Sequence, residues 1–205
     1  MEDARIIKVG PLEITIPESL EPLKNLPEEP PERRSFAFQT SQALIMAHLD
    51  SIARESAMPF DDPEQVVASI HRDLGDDQGL IEVRNGTTNA DRPVIYSIVK
   101  TANHPEGVQY FMLMHIDYGR NALQASVFAS EYGMTGMRDG QVYAFARNHG
   151  YIGPDGSGWM CDPYDGDYAR GVLMNMSEDE RFDQDFPEHP LSVERGLRDA
   201  LVALN

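Results

Sequence analysis

Between Leu80 and about Ala129 the chain alternates apolar and polar residues in four short runs separated by turn signals. In Val94-Ile95-Tyr96-Ser97-Ile98-Val99, and again in Tyr110-Phe111-Met112-Leu113-Met114-His115-Ile116, neighbouring side chains point to opposite sides of a sheet. A period of two, repeated at such close spacing, predicts an antiparallel sheet. Leu80 to Arg84 reads as one strand and Asn85-Gly86 as a hairpin turn, since both central residues of a type I′ turn need positive φ. A longer connection, running to Arg92-Pro93, fits the same residues. His104-Pro105-Glu106-Gly107 suits a type I turn, and Asp117-Tyr118-Gly119-Arg120 supplies the last turn before a strand from Ala122 to Ala129.

Helical periodicity flanks this sheet. Asp62-Pro63-Glu64-Gln65 combines an N-cap acceptor, a proline at the first helical position and a capping-box glutamine. Val66, Val67, Ile70 and Leu74 then share one face, which predicts a helix over 62–74. Residues 136–148 form a second helix burying Met137, Val142 and Phe145. Ser177-Glu178-Asp179-Glu180 reads as a capping box for a short helix. Residues 190–204 close the chain as a helix with Val193, Leu197, Leu201 and Leu204 on one side.

The N-terminal third is less regular. Arg5 to Val9 and Leu12 to Ile16 read as a hairpin about Gly10-Pro11. Residues 17–34 mix five prolines with five glutamates, and because proline removes backbone donors and disfavours helix before it, they read as an extended strap over the surface. Ala43-Leu44-Ile45-Met46-Ala47-His48-Leu49 consists of good helix formers, so propensity alone favours a helix there.

Composition narrows the class. At 205 residues and 41% hydrophobic content the chain can bury one sizeable core, so 1–205 reads as a single domain. A net charge of -17 argues against nucleic-acid phosphates and anionic membrane surfaces as partners. Cys161 is the only cysteine, so no intrachain disulfide forms. Met1-Glu2-Asp3-Ala4-Arg5 opens acidic without the apolar stretch of a signal peptide, which predicts a cytoplasmic protein.

Chemistry-bearing residues concentrate in the glycine- and aspartate-rich loop 149–176. Asp162, Asp165 and Asp167 fall within six residues, a density that suits a hard cation, but the calcium-loop spacing is not met. Aspartates so placed serve equally as acceptors in successive backbone turns. The six histidines show no ligand spacing, and His115 shares a strand face with Phe111 and Leu113, which suits a satisfied sheet histidine. Cys161 has no local nucleophile signature. The sequence therefore predicts no catalytic set, cofactor or metal. Trp159, the only tryptophan, is expected to anchor the loop by burial. Tyr164, Asp165, Asp167, Tyr168 and Arg170 are expected to form an interaction surface, with the two tyrosine hydroxyls near solvent.

Several segments resemble a group of uncharacterised bacterial cytosolic proteins, covering most of the chain from about residue 40. They include Met58-Pro59-Phe60-Asp61, Gln78-Gly79-Leu80-Ile81-Glu82-Val83, Tyr132-Gly133-Met134-Thr135-Gly136-Met137, Asp162-Pro163-Tyr164-Asp165 and His189-Pro190-Leu191-Ser192. More remotely, the order of hairpin, strands, helix, meander and closing helix is similar to the PsbP-like α/β/α sandwich. That resemblance implies a strand rather than a helix at 43–51, and it implies binding to protein partners, as in the members of that fold. The sequence thus predicts an α+β domain with a central antiparallel β-sheet flanked by helices, acting as a non-enzymatic interaction or accessory protein. The competing expectation is a small enzyme, with or without a metal's assistance, working through loop 149–176 with Asp162, Asp165 or Asp167 and with Cys161 or a nearby histidine.

Overall fold

The computed structural model describes residues 4–103 and 107–205, so the turn expected at His104-Pro105-Glu106-Gly107 falls outside the described residues for all but its glycine. In chain order the elements are β1 (Ala4–Val9), β2 (Leu12–Pro17), β3 (Glu21–Leu23), β4 (Arg34–Gln39), β5 (Ala43–Ala53), α1 (Pro63–Asp73), β6 (Gln78–Thr87), β7 (Pro93–Asn103), β8 (Gly107–Asp117), β9 (Asn121–Glu131), α2 (Met137–Asn148), β10 (Met160–Cys161), β11 (Met174–Asn175) and α3 (Pro190–Leu204). Two 3-10 turns, Met176–Glu178 and Glu180–Phe182, lie between β11 and α3. Seven strands form one antiparallel sheet in the order β3-β4-β5-β9-β8-β7-β6.

The alternation read from the sequence decides which side chains go to which face. Ile98 of β7, Met112 and Met114 of β8, Val127 of β9 and Ile45 of β5 point to one side and are fully buried. The β1–β2 hairpin and α3 close over them: Val9, Ile14, Ile16, Leu191, Leu197 and Leu201 belong to the same core. On the opposite side α1 covers β6 and β7, where Val66 and Leu74 pack with Leu80, Val83 and Ile95. The Asp62 side chain accepts from the Gln65 N–H at 2.9 Å, and Pro63 opens the helix, as its sequence requires. His115 is buried on this face, with Nε2 3.2 Å from Gln124 Oε1 and Nδ1 accepting from the Met58 N–H at 3.3 Å.

Four local readings resolve differently from what short-range chemistry suggests. The first is β5: its helix formers are overruled because it pairs along its length with β9 and over six residues with β4. Tertiary pairing outweighs a propensity difference of a few tenths of a kcal/mol per residue. The second is Asn85-Gly86, which makes no turn. These residues stay in the ladder opposite Ile95 and Val94, and the chain reverses over 88–92, with Asp91 at φ 57. Asn85 instead donates from Nδ2 to the Phe60 carbonyl at 2.8 Å. The third is the capping box of residues 177–180, which sits two residues earlier: Asn175 caps, and Glu178 answers to its backbone. The fourth is in the strap 17–34, where Glu21 to Leu23 add an edge strand to β4.

A bulge in β6 carries more weight than its size suggests. Leu80 lies opposite Val99 and Glu82 opposite Ile98, so Ile81 is an extra residue. Two residues apart in a regular strand, Leu80 and Glu82 would share a face. The bulge re-aims the strand so that Leu80 packs under α1 while Ile81 and Glu82 face α3.

The outer edge of β6 is covered by the loop that leads from β10 to β11. The Val172 N–H donates to the Gln78 carbonyl at 2.9 Å. Tyr164 Oη accepts from the Val83 N–H at 2.5 Å and donates to the Val83 carbonyl at 2.9 Å. One phenol thus satisfies both backbone groups that a neighbouring strand would otherwise take. Gly79 is part of the fit, since a Cβ there would stand 1.7 Å from the Val172 carbonyl oxygen. Gly79→Ala should therefore lift the loop and cost about 1–3 kcal/mol, with faster amide exchange at Val83 and Val172. Gly166→Ala, where a Cβ meets nothing within 4 Å, should leave both unchanged.

Candidate functional site

Loop 149–176 uses its aspartates internally. Asp162 is buried, with Oδ1 accepting from the Tyr164 and Asp165 N–H groups at 2.9 Å each and Oδ2 accepting from His71 Nε2 at 2.9 Å. Asp165 Oδ1 accepts from the Asp167 N–H at 2.9 Å. These are the successive backbone turns that Asp-rich loops favour. Among the described residues, no group of three or more His, Cys, Asp and Glu side chains is arranged to hold a metal ion.

The expected outward tyrosine hydroxyls turn inward. Tyr164 Oη is bound to the Val83 backbone, and Tyr168 Oη donates to the His71 carbonyl at 3.2 Å while its ring stacks on His71 with centroids 4.1 Å apart. The edge of β6 offers Tyr164 a carbonyl and an N–H, and the last turn of α1 offers Tyr168 a carbonyl. Asp165, Asp167 and Arg170 remain exposed. Trp159 is half-buried rather than enclosed, and meets Tyr143 edge-on at 5.0 Å. The acid–histidine meeting that an enzyme reading needs does occur, at Asp162 and His71, with Tyr168 stacked flat on one face of the imidazole. Cys161 is exposed, paired with Met174 in the short β10–β11 ladder.

The largest concentration of charge is one that sequence spacing gave no reason to assemble. Arg138 of α2 is 1% exposed and donates to the Ser177 and Asp179 carbonyls, to Ser192 Oγ and to Asp183 Oδ1. Arg195 reaches Glu82 at 3.1 Å and Asp183 at 3.2 Å. Arg198 reaches Glu82, Glu180 and the Tyr96 hydroxyl. Lys100, in the middle of β7, pairs with Glu178 at 2.7 Å, and Tyr110 donates to the same carboxylate at 3.0 Å. Four cations thus face the four carboxylates Glu82, Glu178, Glu180 and Asp183. The helix face of α3 is accordingly rotated from the expected one: Glu194, Arg195 and Arg198 are buried beside Leu197 and Leu201, whereas Val193 and Leu204 are half-buried.

Two buried titratable groups stand apart from this balance. Glu194 is 0% exposed, and neither of its oxygens has a hydrogen-bond partner among the described residues. Burial pushes its carboxyl well above the usual carboxylate range, which favours the protonated form. His189 caps α3, its Nδ1 accepting from the Leu191 N–H at 3.3 Å. Burial first, then the nearby Arg138 and Arg195, push its imidazole down to about 3.

Outside this network α2 and the 180–186 segment enclose an aromatic groove. One hollow of about 440 Å³ is lined by Val142, Phe145, Phe182, Asp185 and Phe186. A second, of about 490 Å³, adds Tyr151, Met176 and Arg181 and shares Phe145, Phe182 and Asp185 with the first. Phe145, expected in the core, is 44% exposed, and Tyr151 is 61% exposed. Arg181 also lines a charged cleft of about 510 Å³ that runs on to Glu82, Arg84 and Tyr164. The sequence signal that could have found this groove is the repeat Phe182-Asp183-Gln184-Asp185-Phe186, which places two aromatics four residues apart among acids. A separate apolar stretch lies on the uncovered half of the sheet, where Leu44 and Met46 are exposed next to the ring pair Phe111 and Phe128.

No protein-family model matches the chain, and no curated protein does. Among solved structures it is similar to the Saccharomyces cerevisiae Ran-binding protein Mog1p, with TM-score 0.44 and 9% identity over 70% of this chain and 84% of that one. A point mutant of Mog1 matches at TM-score 0.43 and 9% identity, over 98% and 97% of the two chains. A Pseudomonas aeruginosa protein of unknown function described as a putative regulator, PA94, matches at TM-score 0.35 and 11% identity, over 74% and 96%. Likeness at this level transfers neither a partner nor an activity.

His189 and Glu194 give opposite pH signatures. A histidine whose pKa is lower when folded favours the native state above its ordinary value of 6.5 and loses that advantage as pH falls toward 3. His189→Asn, which keeps a cap acceptor, should therefore lose less stability than the parent between pH 7 and pH 4. A carboxyl whose pKa is higher when folded acts in reverse: its contribution is intact below 4.5 and shrinks as pH rises. Glu194→Gln should match the parent near pH 4 and exceed it at pH 7, the gap growing by as much as about 1.4 kcal/mol per pH unit. Urea midpoints at several pH values check both.

Proposed function

We propose that this protein is a non-enzymatic, cytoplasmic interaction protein that docks another protein along the aromatic groove of α2 and the 180–186 segment. The observation that carries the reading is the exposure of Phe145 and Tyr151 on the wall of two joined hollows of about 440 and 490 Å³. Aromatic side chains left on a concave surface cost hydration free energy unless a partner covers them, and such rings supply much of the energy of protein interfaces. The acid–histidine pair and the buried cations are engaged with neighbours of their own. Charged residues behind the groove are paired with one another, and the His71–Asp162 pair lies under Tyr168.

The surface extends past Arg181 into the charged cleft as far as Tyr164, whose ring is partly exposed although its hydroxyl is tied down. Asp165, Asp167 and Arg170 stand exposed next to it, while Tyr168 positions the loop from beneath through its contact with His71. In this reading the loop serves as the far rim of the docking surface, and no cofactor takes part.

The double variant Phe145→Ala, Phe182→Ala should keep the parental circular dichroism and melt within a few degrees of it, because both rings contact solvent. It should lose the protein that the parent captures by cross-linking in cells of the source organism. Retention of the same cross-linked partner by the double variant would remove the groove from consideration.

A further inference from the structure

The rings around the groove are not equivalent. Phe182 already carries a cation, the Arg181 guanidinium 5.2 Å above its centre. Phe186 carries another, with the Arg138 guanidinium 5.9 Å away. The ring pairs of Phe145 and Tyr151 are with each other and with His149, at centroid separations of 5.9, 4.3 and 6.0 Å. These are the two most exposed rings of the groove, and among the described residues no Lys or Arg lies over either.

The acids divide in the same way. Ion pairs of this segment go to Asp179, Glu180 and Asp183, leaving Asp185 and Glu188 without one among the described residues. Asp185 lines both hollows and so faces the free rings across the groove. The chain has therefore used the pairing of aromatic, acid and cation for each inner ring and left the outer set short of its cation. A guanidinium or ammonium desolvated between a ring face and a carboxylate gains from both. The net charge of -17 would draw such a group in from a distance.

We propose that the groove docks a basic segment of its partner, seating an arginine or lysine side chain on Phe145 and Tyr151 opposite Asp185, with a neighbouring apolar side chain against Val142 and Phe186. This rests on the reading of the groove as a docking surface and adds the chemistry of what enters it. A second copy of this chain, itself strongly acidic, fits that chemistry poorly.

The test uses the whole protein labelled with nitrogen-15 and a short peptide in which arginine alternates with leucine, beside one in which glutamate replaces the arginine. The arginine–leucine peptide should shift amide signals of residues 142–151 and 181–186. Asp185→Asn and Phe145→Ala should each weaken it about five- to tenfold. Glu64→Gln, the same charge change on the exposed side of α1, should alter affinity by less than about twofold. Equal loss in Glu64→Gln and Asp185→Asn, or shifts spread over the acidic surface, would overturn the proposal in favour of unspecific attraction. Equal binding of the glutamate peptide would overturn it in favour of an apolar groove without charge preference. Concentration-dependent shifts at the groove with no peptide added would overturn it in favour of self-association. The two claims fail separately. If the Phe145→Ala, Phe182→Ala variant loses its cross-linked partner while the arginine peptide leaves the groove unshifted, the docking surface stands and the basic partner does not.

Discussion

Charge inside a fold must be cancelled where it lies, and in this protein that requirement ties the second half of the chain to the first. Lys100, Arg138, Arg195 and Arg198 have side chains at most 6% exposed, and each meets a carboxylate from an element other than its own. Taking such groups out of water is expensive, so the network is weak evidence for stability. Its effect is positional. Leaving any one partner uncompensated would cost about 3–5 kcal/mol, which fixes α2, α3 and the turns at 176–182 in one register against β6, β7 and β8. The groove is a by-product of that register, because its two walls are the outer surfaces of the segments that Arg138 binds together. Glu194 fits the same logic: with no hydrogen-bond partner for its oxygens among the described residues, burial disfavours its charged form.

The architecture was legible where a period or a cap dictates it. Val66, Val67, Ile70 and Leu74 gave the packing face of α1, and alternation in β7 and β8 gave the sheet faces. What was not legible depends on partners distant in sequence. β5 carries helix formers and becomes a strand because β4 and β9 flank it. Asn85-Gly86 has the residues of a turn but lies in a ladder because Thr87 still pairs with Pro93. The candidate site suffered most, since polar residues in an apolar stripe, such as Arg195 and Arg198, look like a solvated helix edge until Glu82 is placed opposite them. Glu82 is there only because of the bulge at Ile81, which no periodicity announces.

The loop shows the same limit from the other side. Its aromatics were rightly expected to matter, yet their roles are exchanged: Tyr164 and Tyr168 secure the loop to β6 and α1, and Trp159 stays half-exposed against Tyr143. Each hydroxyl takes a backbone acceptor, Tyr164 at the edge of β6 and Tyr168 at the end of α1. Side-chain chemistry fixes that such a bond is wanted but not where it is found.

The sequence distances across the network set an order of events during synthesis. Lys100 waits for Glu178, 78 residues later, the Val83 amide waits for Tyr164 at 81, and Glu82 waits for Arg195 at 113. As the chain emerges from its N-terminus, β6 to β9 can pair while carrying Lys100 without its carboxylate, and Glu82 with only Arg84 and the Tyr96 hydroxyl, next to an open sheet edge. Water must hold those charges, and so must keep the face meant for α3 apart, until the last helix arrives. Packing of that face is complete only when α3 brings Arg195 and Arg198 to Glu82.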